Sequence, residues 1–150
     1  MKVVVTTDGS QQSLEAARQV REILDAAKVT EVIVVGVLSP LASVPFANDL
    51  TRRTPGEASA PSFRAEAQAA VGVVAEEFRD WGPAVAQRLR SGSPASEIVA
   101  LAEQVGAGLI VVASGGRGLS DTILLGSTAS RVQHSAPCPV LVWRPQRAPR

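Results

Sequence analysis

At 150 residues, with 45% hydrophobic and 19% charged residues, the chain suits a single domain with its own core. No run of eighteen apolar residues is present to cross a membrane, and the three valines after Met1-Lys2 are too few for a secretory h-region. The net charge is only +1 and aromatic residues make up 3%, a balance that excludes a basic, aromatic-studded nucleic-acid face.

Lys2 to Thr7 is a β-branched, continuous run, as in a strand buried on both faces. Ser10 is placed to cap a helix reaching about Ala27, with Leu14, Ala17, Val20 and Leu24 on one stripe. Glu31 to Leu38 reads as a second buried strand. Residues 39–61 hold four prolines and a glycine, so they read as a long loop, a candidate lid or mobile segment. Phe63, Ala67, Ala70, Val71, Val74, Phe78 and Trp81 then trace a helical stripe that Gly82-Pro83 ends. Ala84 to Arg90 alternates apolar and polar residues, as an edge strand with one solvated face does.

Ser93-Pro94 sets a capping hydroxyl before a proline at the first helical position, and Ile98, Leu101, Ala102 and Val105 supply that helix's buried stripe. Gly106 ends it, and Leu109-Ile110-Val111-Val112 is the fourth strand. A last helix spans about Ser127 to His134, with the lone His134 read as structural. Pro139 to Trp143 is the fifth strand. Cys138, the lone cysteine, excludes an intrachain disulfide framework. Wedged between two prolines, it reads as a buried, inert thiol, in keeping with a reducing cytoplasm. Residues 1–144 thus form the domain, and the Arg- and Pro-rich 145–150 reads as a disordered tail. Strands alternating with helices predict βαβ units, a parallel sheet and helices on both faces.

Chemistry concentrates after the fourth strand. Ala113-Ser114-Gly115-Gly116, nine residues and Gly126-Ser127 form a glycine-rich passage from strand to helix. Glycines let backbone N–H groups approach an anion, and a helix start offers free donors and a favourable dipole. Glycine loops also serve as plain turns. Ser127 and Thr128 can cap the last helix, a role compatible with holding a phosphate. Arg117 can neutralise phosphate charge or be a solvated loop residue. Asp8 is either the side chain of an Asx-type turn supporting Gly9 and Ser10, or an acceptor for a ligand. Missing are a G-x-x-x-x-G-K-[S/T] loop, a carboxylate pair spaced for Mg²⁺, a zinc cluster and a G-x-S-x-G elbow. The passage can hold a nucleotide, but nothing evident activates water or an acceptor.

Val3-Val4-Val5-Thr6-Thr7-Asp8-Gly9-Ser10, Val32-Ile33-Val34-Val35-Gly36-Val37, Gly92-Ser93-Pro94-Ala95-Ser96-Glu97-Ile98 and the stretch from Gly126-Ser127 through Ala136-Pro137-Cys138-Pro139-Val140-Leu141-Val142 together resemble the universal stress protein family, in its nucleotide-binding branch. The family's loop is written G-x-x-G, nine residues, G-[S/T]. Gly116, Gly126 and Ser127 match it, whereas Ala113 stands at the first glycine. Pairing Gly115 with Gly118 instead leaves only seven residues before Gly126.

The resemblance implies an open Rossmann-like α/β sheet of five parallel strands in the order 3-2-1-4-5. The ligand crevice would lie outside the ends of strands 1 and 4. It implies an adenine nucleotide, ATP with or without Mg²⁺, leaving AMP and a cyclic nucleotide open, with no protein side chains holding a metal on their own. The positions implied are Thr7 and Asp8, Val37 against adenine, and Ala113, Ser114, Gly115, Gly116, Arg117, Gly126, Ser127 and Thr128 at the phosphates. It implies a homodimer through strand 139–143 and a regulatory or sensory role with an unspecified protein partner. Two alternatives stay open: a dimeric interaction module whose glycine loop is a relic, and a slow ATPase or autophosphorylating protein.

Overall fold

The computed structural model describes residues 1–39, 63–115 and 126–146. Five strands, β1 (Lys2–Thr7), β2 (Glu31–Leu38), β3 (Ala84–Ser91), β4 (Leu109–Ala113) and β5 (Val140–Trp143), form one parallel sheet in the order β3-β2-β1-β4-β5. Four helices alternate with them: α1 (Gln11–Ile23), α2 (Phe63–Glu76), α3 (Pro94–Val105) and α4 (Ser127–Ser135). This is the expected Rossmann-like α/β architecture, with β3 and β5 at the two edges.

Alternation along the strands divides the core in two. Val3 and Val5 of β1 pack with Leu14, Ala17 and Val20 of α1 and Val71 and Val74 of α2. Val4, one residue out of phase, packs with Ile98 and Leu101 of α3 and Ala129 and Val132 of α4. Because both faces are covered, the central strands read as unbroken Val/Ile runs rather than as alternation. All three of these β1 valines are 0% exposed.

Local chemistry moves several element ends from their expected places. The first helix stops at Ile23, not near Ala27, because Leu24 is extended and Asp25 takes the Ala27 N–H on its side chain at 3.0 Å. A separate 3-10 turn, Ala26–Lys28, starts there. The second helix ends at Glu76. The following backbone bonds, such as Phe78 N–H to Ala75 C=O at 3.0 Å, skip three residues and tighten the exit. That tightening swings Phe78 fully into the core and brings the Trp81 ring within 5.7 Å of it. Phe63, expected on the buried stripe, is 60% exposed.

The hydroxyl of Ser93 makes no capping bond; Pro94 still occupies the first turn of α3. Gly106 ends α3 in the left-handed region at φ 67°, as expected of a glycine stop. Cys138 is half-buried rather than buried and precedes β5; partial burial raises its thiol pKa. His134 is exposed in the last turn of α4. The 39–61 loop beyond Ser39, and the tail beyond Gln146, fall outside the described residues.

Phe78 is the largest fully buried side chain and carries no helix of its own. Phe78→Ala is expected to cost about 3–5 kcal/mol, read as a lower urea midpoint with an unchanged slope.

Candidate functional site

β1 lies between β2 and β4, and its register fixes what meets at the carboxyl edge. Thr7 pairs with Gly36, and Val5 pairs with Val111. Continuing both registers sets Asp8 level with Val37 on one side and Ser114 on the other. Three of the positions expected from sequence thus stand in one row, spanning roughly 10 Å at ordinary strand spacing.

The chains leaving this row diverge. From β1 the chain turns into α1 on one face of the sheet, and from β4 it leads toward α4 on the other. Consecutive threonines pin β1 where this happens. Thr6 donates its hydroxyl to the Val111 carbonyl at 3.1 Å, tying β1 to β4. The Thr7 hydroxyl instead reaches Ser13 of α1 at 2.7 Å.

The β1–α1 turn is a dense polar knot. Gly9, at φ 80°, adopts a left-handed conformation that a side chain resists. Its N–H donates to Thr7 Oγ1 at 3.1 Å. Asp8 Oδ1 accepts the Ser10 N–H at 3.0 Å and also the Ser10 hydroxyl. Ser10 in turn caps α1 by accepting the Ser13 N–H at 3.2 Å. Asp8 therefore does form the Asx turn that sequence offered as one reading. Yet Asp8 is exposed, and its Oδ2 accepts no hydrogen bond among the described residues. The two readings of Asp8 are compatible, since one carboxylate oxygen builds the turn and the other faces outward.

Across the row, Ser114 is a junction. Its N–H donates to the Trp143 carbonyl at 2.8 Å, and its own carbonyl accepts the Gly126 N–H. The two ends of the 115–126 passage are thereby drawn together, and α4 starts beside the end of β4. A Cβ added at Gly126 would sit 3.0 Å from the Ser114 oxygen and 3.6 Å from Gly115 Cα. Glycine is needed here for close approach, because φ at Gly126 is an ordinary −56°.

Gly126, not Ser127, is the N-cap of α4 and has no side chain to cap with. This corrects the capping role expected of Ser127 and Thr128; Ser127 is the first helical residue and exposed, Thr128 half-buried. The first intrahelical bond runs from the Ser130 N–H to the Gly126 carbonyl at 3.0 Å. The amides of residues 127–129 thus have no acceptor within the helix. In α1 the Ser10 hydroxyl answers one such donor, and in α3 Pro94 lacks one. Of these three starts, that of α4 is the most open to an anion.

Ala113, the departure from the family's glycine pattern, is the last residue of β4 and pairs with Trp143. It is strand backbone, so no left-handed conformation is demanded and alanine carries no strain there. Its methyl packs against the core on the α1 side. Val37 packs toward the α3 side. Gly116 and Arg117 lie outside the described residues. Ser13 was not singled out from sequence, although the spacing Asp8-Gly9-Ser10-x-x-Ser13 places its amide in reach of the capping hydroxyl.

Comparison with known proteins agrees with this geometry. The universal stress protein family model matches residues 1–144. A universal stress protein of Methanocaldococcus jannaschii is 38% identical over 143 residues, covering 94% of this chain and 80% of that protein. Among solved structures, hypothetical protein MJ0577 superimposes with a TM-score of 0.76 at 28% identity, covering 98% of this chain and 97% of the other. A universal stress protein in complex with cAMP matches with a TM-score of 0.68 at 25% identity, over 96% of each chain. An Arabidopsis thaliana family protein with AMP bound shares the fold, with a TM-score of 0.67 over 97% of this chain and 92% of its own, at 16% identity. With its sheet order and this match over nearly its whole length, the chain belongs to the universal stress protein family.

Proposed function

We propose that this protein binds an adenine nucleotide in the crevice between β1 and β4 and acts as a regulatory or sensory module rather than a catalyst. The observation that carries this reading is the open start of α4: three amides without intrahelical acceptors, an N-cap without a side chain, and the adjoining end of β4. Such a start favours a phosphate through its free donors and its dipole. Asp8, with one oxygen free, would take the nucleoside end, since a carboxylate accepts hydrogen bonds and repels phosphate. Val37 would border the base, and Ser114, Gly115, Ser127 and Thr128 the phosphates, with Gly116 and Arg117 completing the loop.

The cAMP bound by a relative of 25% identity supports the class of ligand. ATP is our choice within that class, because the glycine spacing of the nucleotide-binding branch is retained at Gly116, Gly126 and Ser127. The residues described fit the adenosine and phosphate portions; any Mg²⁺ would be held mainly by the phosphates.

Titration calorimetry with ATP and Mg²⁺ is expected to give saturable heat, and silence up to millimolar nucleotide would overturn the assignment in favour of an interaction module. Gly126→Val with Ser127→Ala is expected to abolish the signal, since a side chain at 126 crowds the Ser114 carbonyl, with its Cβ 3.0 Å from that oxygen. AMP and cAMP titrated in parallel rank the ligands.

We further propose that β5 pairs with its copy in a second chain, in a cytoplasmic homodimer. β5 is an apolar edge, Val140-Leu141-Val142-Trp143, with no charge before Arg144. Sedimentation at micromolar protein is expected to show the dimer mass, and Val140→Lys with Leu141→Pro to return monomer. A wild-type monomer would refute the pairing.

A further inference from the structure

The polar knot after β1 has more order in it than an Asx turn requires. Proton counting fixes the direction of every bond. The Ser13 hydroxyl donates its one proton to the Ser10 carbonyl at 2.7 Å, an oxygen that can only accept. The 2.7 Å contact between the Thr7 and Ser13 hydroxyls must therefore be donated by Thr7. Thr7 Oγ1 then uses a lone pair for the Gly9 N–H at 3.1 Å. The Ser10 hydroxyl accepts the Ser13 N–H at 3.2 Å and spends its proton on Asp8 Oδ1. No hydroxyl is left to choose between two arrangements.

Ser13 grips Ser10 at both ends, its amide on the side-chain oxygen and its hydroxyl on the carbonyl. It is 2% exposed, and Thr7 and Ser10 are each 5% exposed, so water does not compete for these bonds. Through Thr7 the grip is anchored in β1, in the middle of the sheet. Asp8 Oδ1 is loaded with two donors from Ser10, which holds the carboxylate in place and leaves Oδ2 without a donor among the described residues. A capping serine alone would hold the helix; the added hydroxyls hold the carboxylate.

We propose that Ser13, working through Ser10 and backed by Thr7, is a positioning residue that aims Asp8 Oδ2 at a hydroxyl of the ligand's sugar. This rests on the nucleotide reading above. The carboxylate can only accept, and the donors a nucleotide offers away from its phosphates are the sugar hydroxyls and the exocyclic amine of the base. The row Val37–Asp8–Ser114 puts Asp8 in the middle, between the strand assigned to the base and the loop assigned to the phosphates. The middle of a nucleotide is its sugar. A hydrogen bond to a charged acceptor held in place discriminates well; one to a carboxylate free to rotate does not, because ordering it offsets the gain.

The test compares ATP with its 2′-deoxy and 3′-deoxy analogues by calorimetry on wild-type, Ser13→Ala, Ser13→Thr and Thr7→Val proteins. Wild type is expected to bind ATP about tenfold or more tightly than one of the two analogues. In Ser13→Ala that ratio is expected to fall to about threefold or less, and Ser13→Thr, which keeps the hydroxyl, to restore it. The ratio is the informative quantity, because a merely structural loss weakens all three nucleotides alike. Should Ser13→Ala fail to fold, the near-isosteric Thr7→Val must lower the ratio by itself. A wild type that binds nucleotide without discriminating, or a folded variant that discriminates as well as wild type, overturns the proposal alone. A wild type that binds no nucleotide overturns this proposal and the nucleotide reading together.

Discussion

β1 and β4 are neighbours in the sheet, yet the chains leaving them go to opposite faces, and the site depends on that parting. Two adjacent parallel strands whose continuations turn the same way close their own edge. Here α1 covers the face carrying Val3 and Val5, while α4 covers the face carrying Val4. The two continuations leave by opposite faces, so the ends of β1 and β4 border a common space at the edge of the sheet. The sheet order β3-β2-β1-β4-β5 makes this the one place in the sheet where the winding reverses. Gly9, Gly126, the first amides of α4 and the carboxylate of Asp8 all lie at the ends of these two strands.

That much of the plan was legible in the residues, because burial on both faces writes itself as uninterrupted β-branched runs. Lys2 to Thr7, Glu31 to Leu38 and Leu109 to Val112 needed no partner to be recognised as strands, and β4 runs one residue further, through Ala113. Helix ends were harder to read. Asp25 acts through one side-chain hydrogen bond and the exit after Glu76 through four short-range backbone bonds, against a stripe of apolar residues that runs straight past them. Leu24 and Trp81 remain on their stripes and still pack against the core, so the periodicity located the right contacts and overstated the helices that bring them there. Ser13 was illegible for a different reason. A serine in a first helical turn is ordinary, and only the placement of Thr7 beneath it gives its hydroxyl a second partner.

The glycine pattern shows how a motif mixes two physical demands. At Gly126 the demand is space, because the Ser114 carbonyl oxygen lies only 3.0 Å from where a Cβ would sit. At Gly9 it is conformation, with φ at 80°. At position 113 the chain is still strand, paired with Trp143, and neither demand is present in the backbone. Alanine there spares the sheet the extra conformational entropy that a glycine would lose on folding, and its methyl joins the core. Counting glycines against a template therefore overstates the departure: the position lost is the one whose glycine the fold does not need.

One residue joins the end of β4 to both the edge of the sheet and the start of α4. The Ser114 N–H is bonded to the last carbonyl of β5, and the Ser114 carbonyl to the amide that opens α4. These two bonds sit on consecutive peptide planes hinged at the Ser114 Cα, so a change in the φ or ψ of Ser114 moves one relative to the other. The Trp143 end of β5 and the N-terminus of α4 are consequently held in register with each other, although they belong to different elements. A ligand that drew on the α4 amides would pull on the same residue that fastens the edge strand. Such a shared unit can transmit a difference between bound and free states only to the extent that ligand binds one arrangement better than another, and any effect of edge pairing on the ligand must be returned equally by the ligand on the edge.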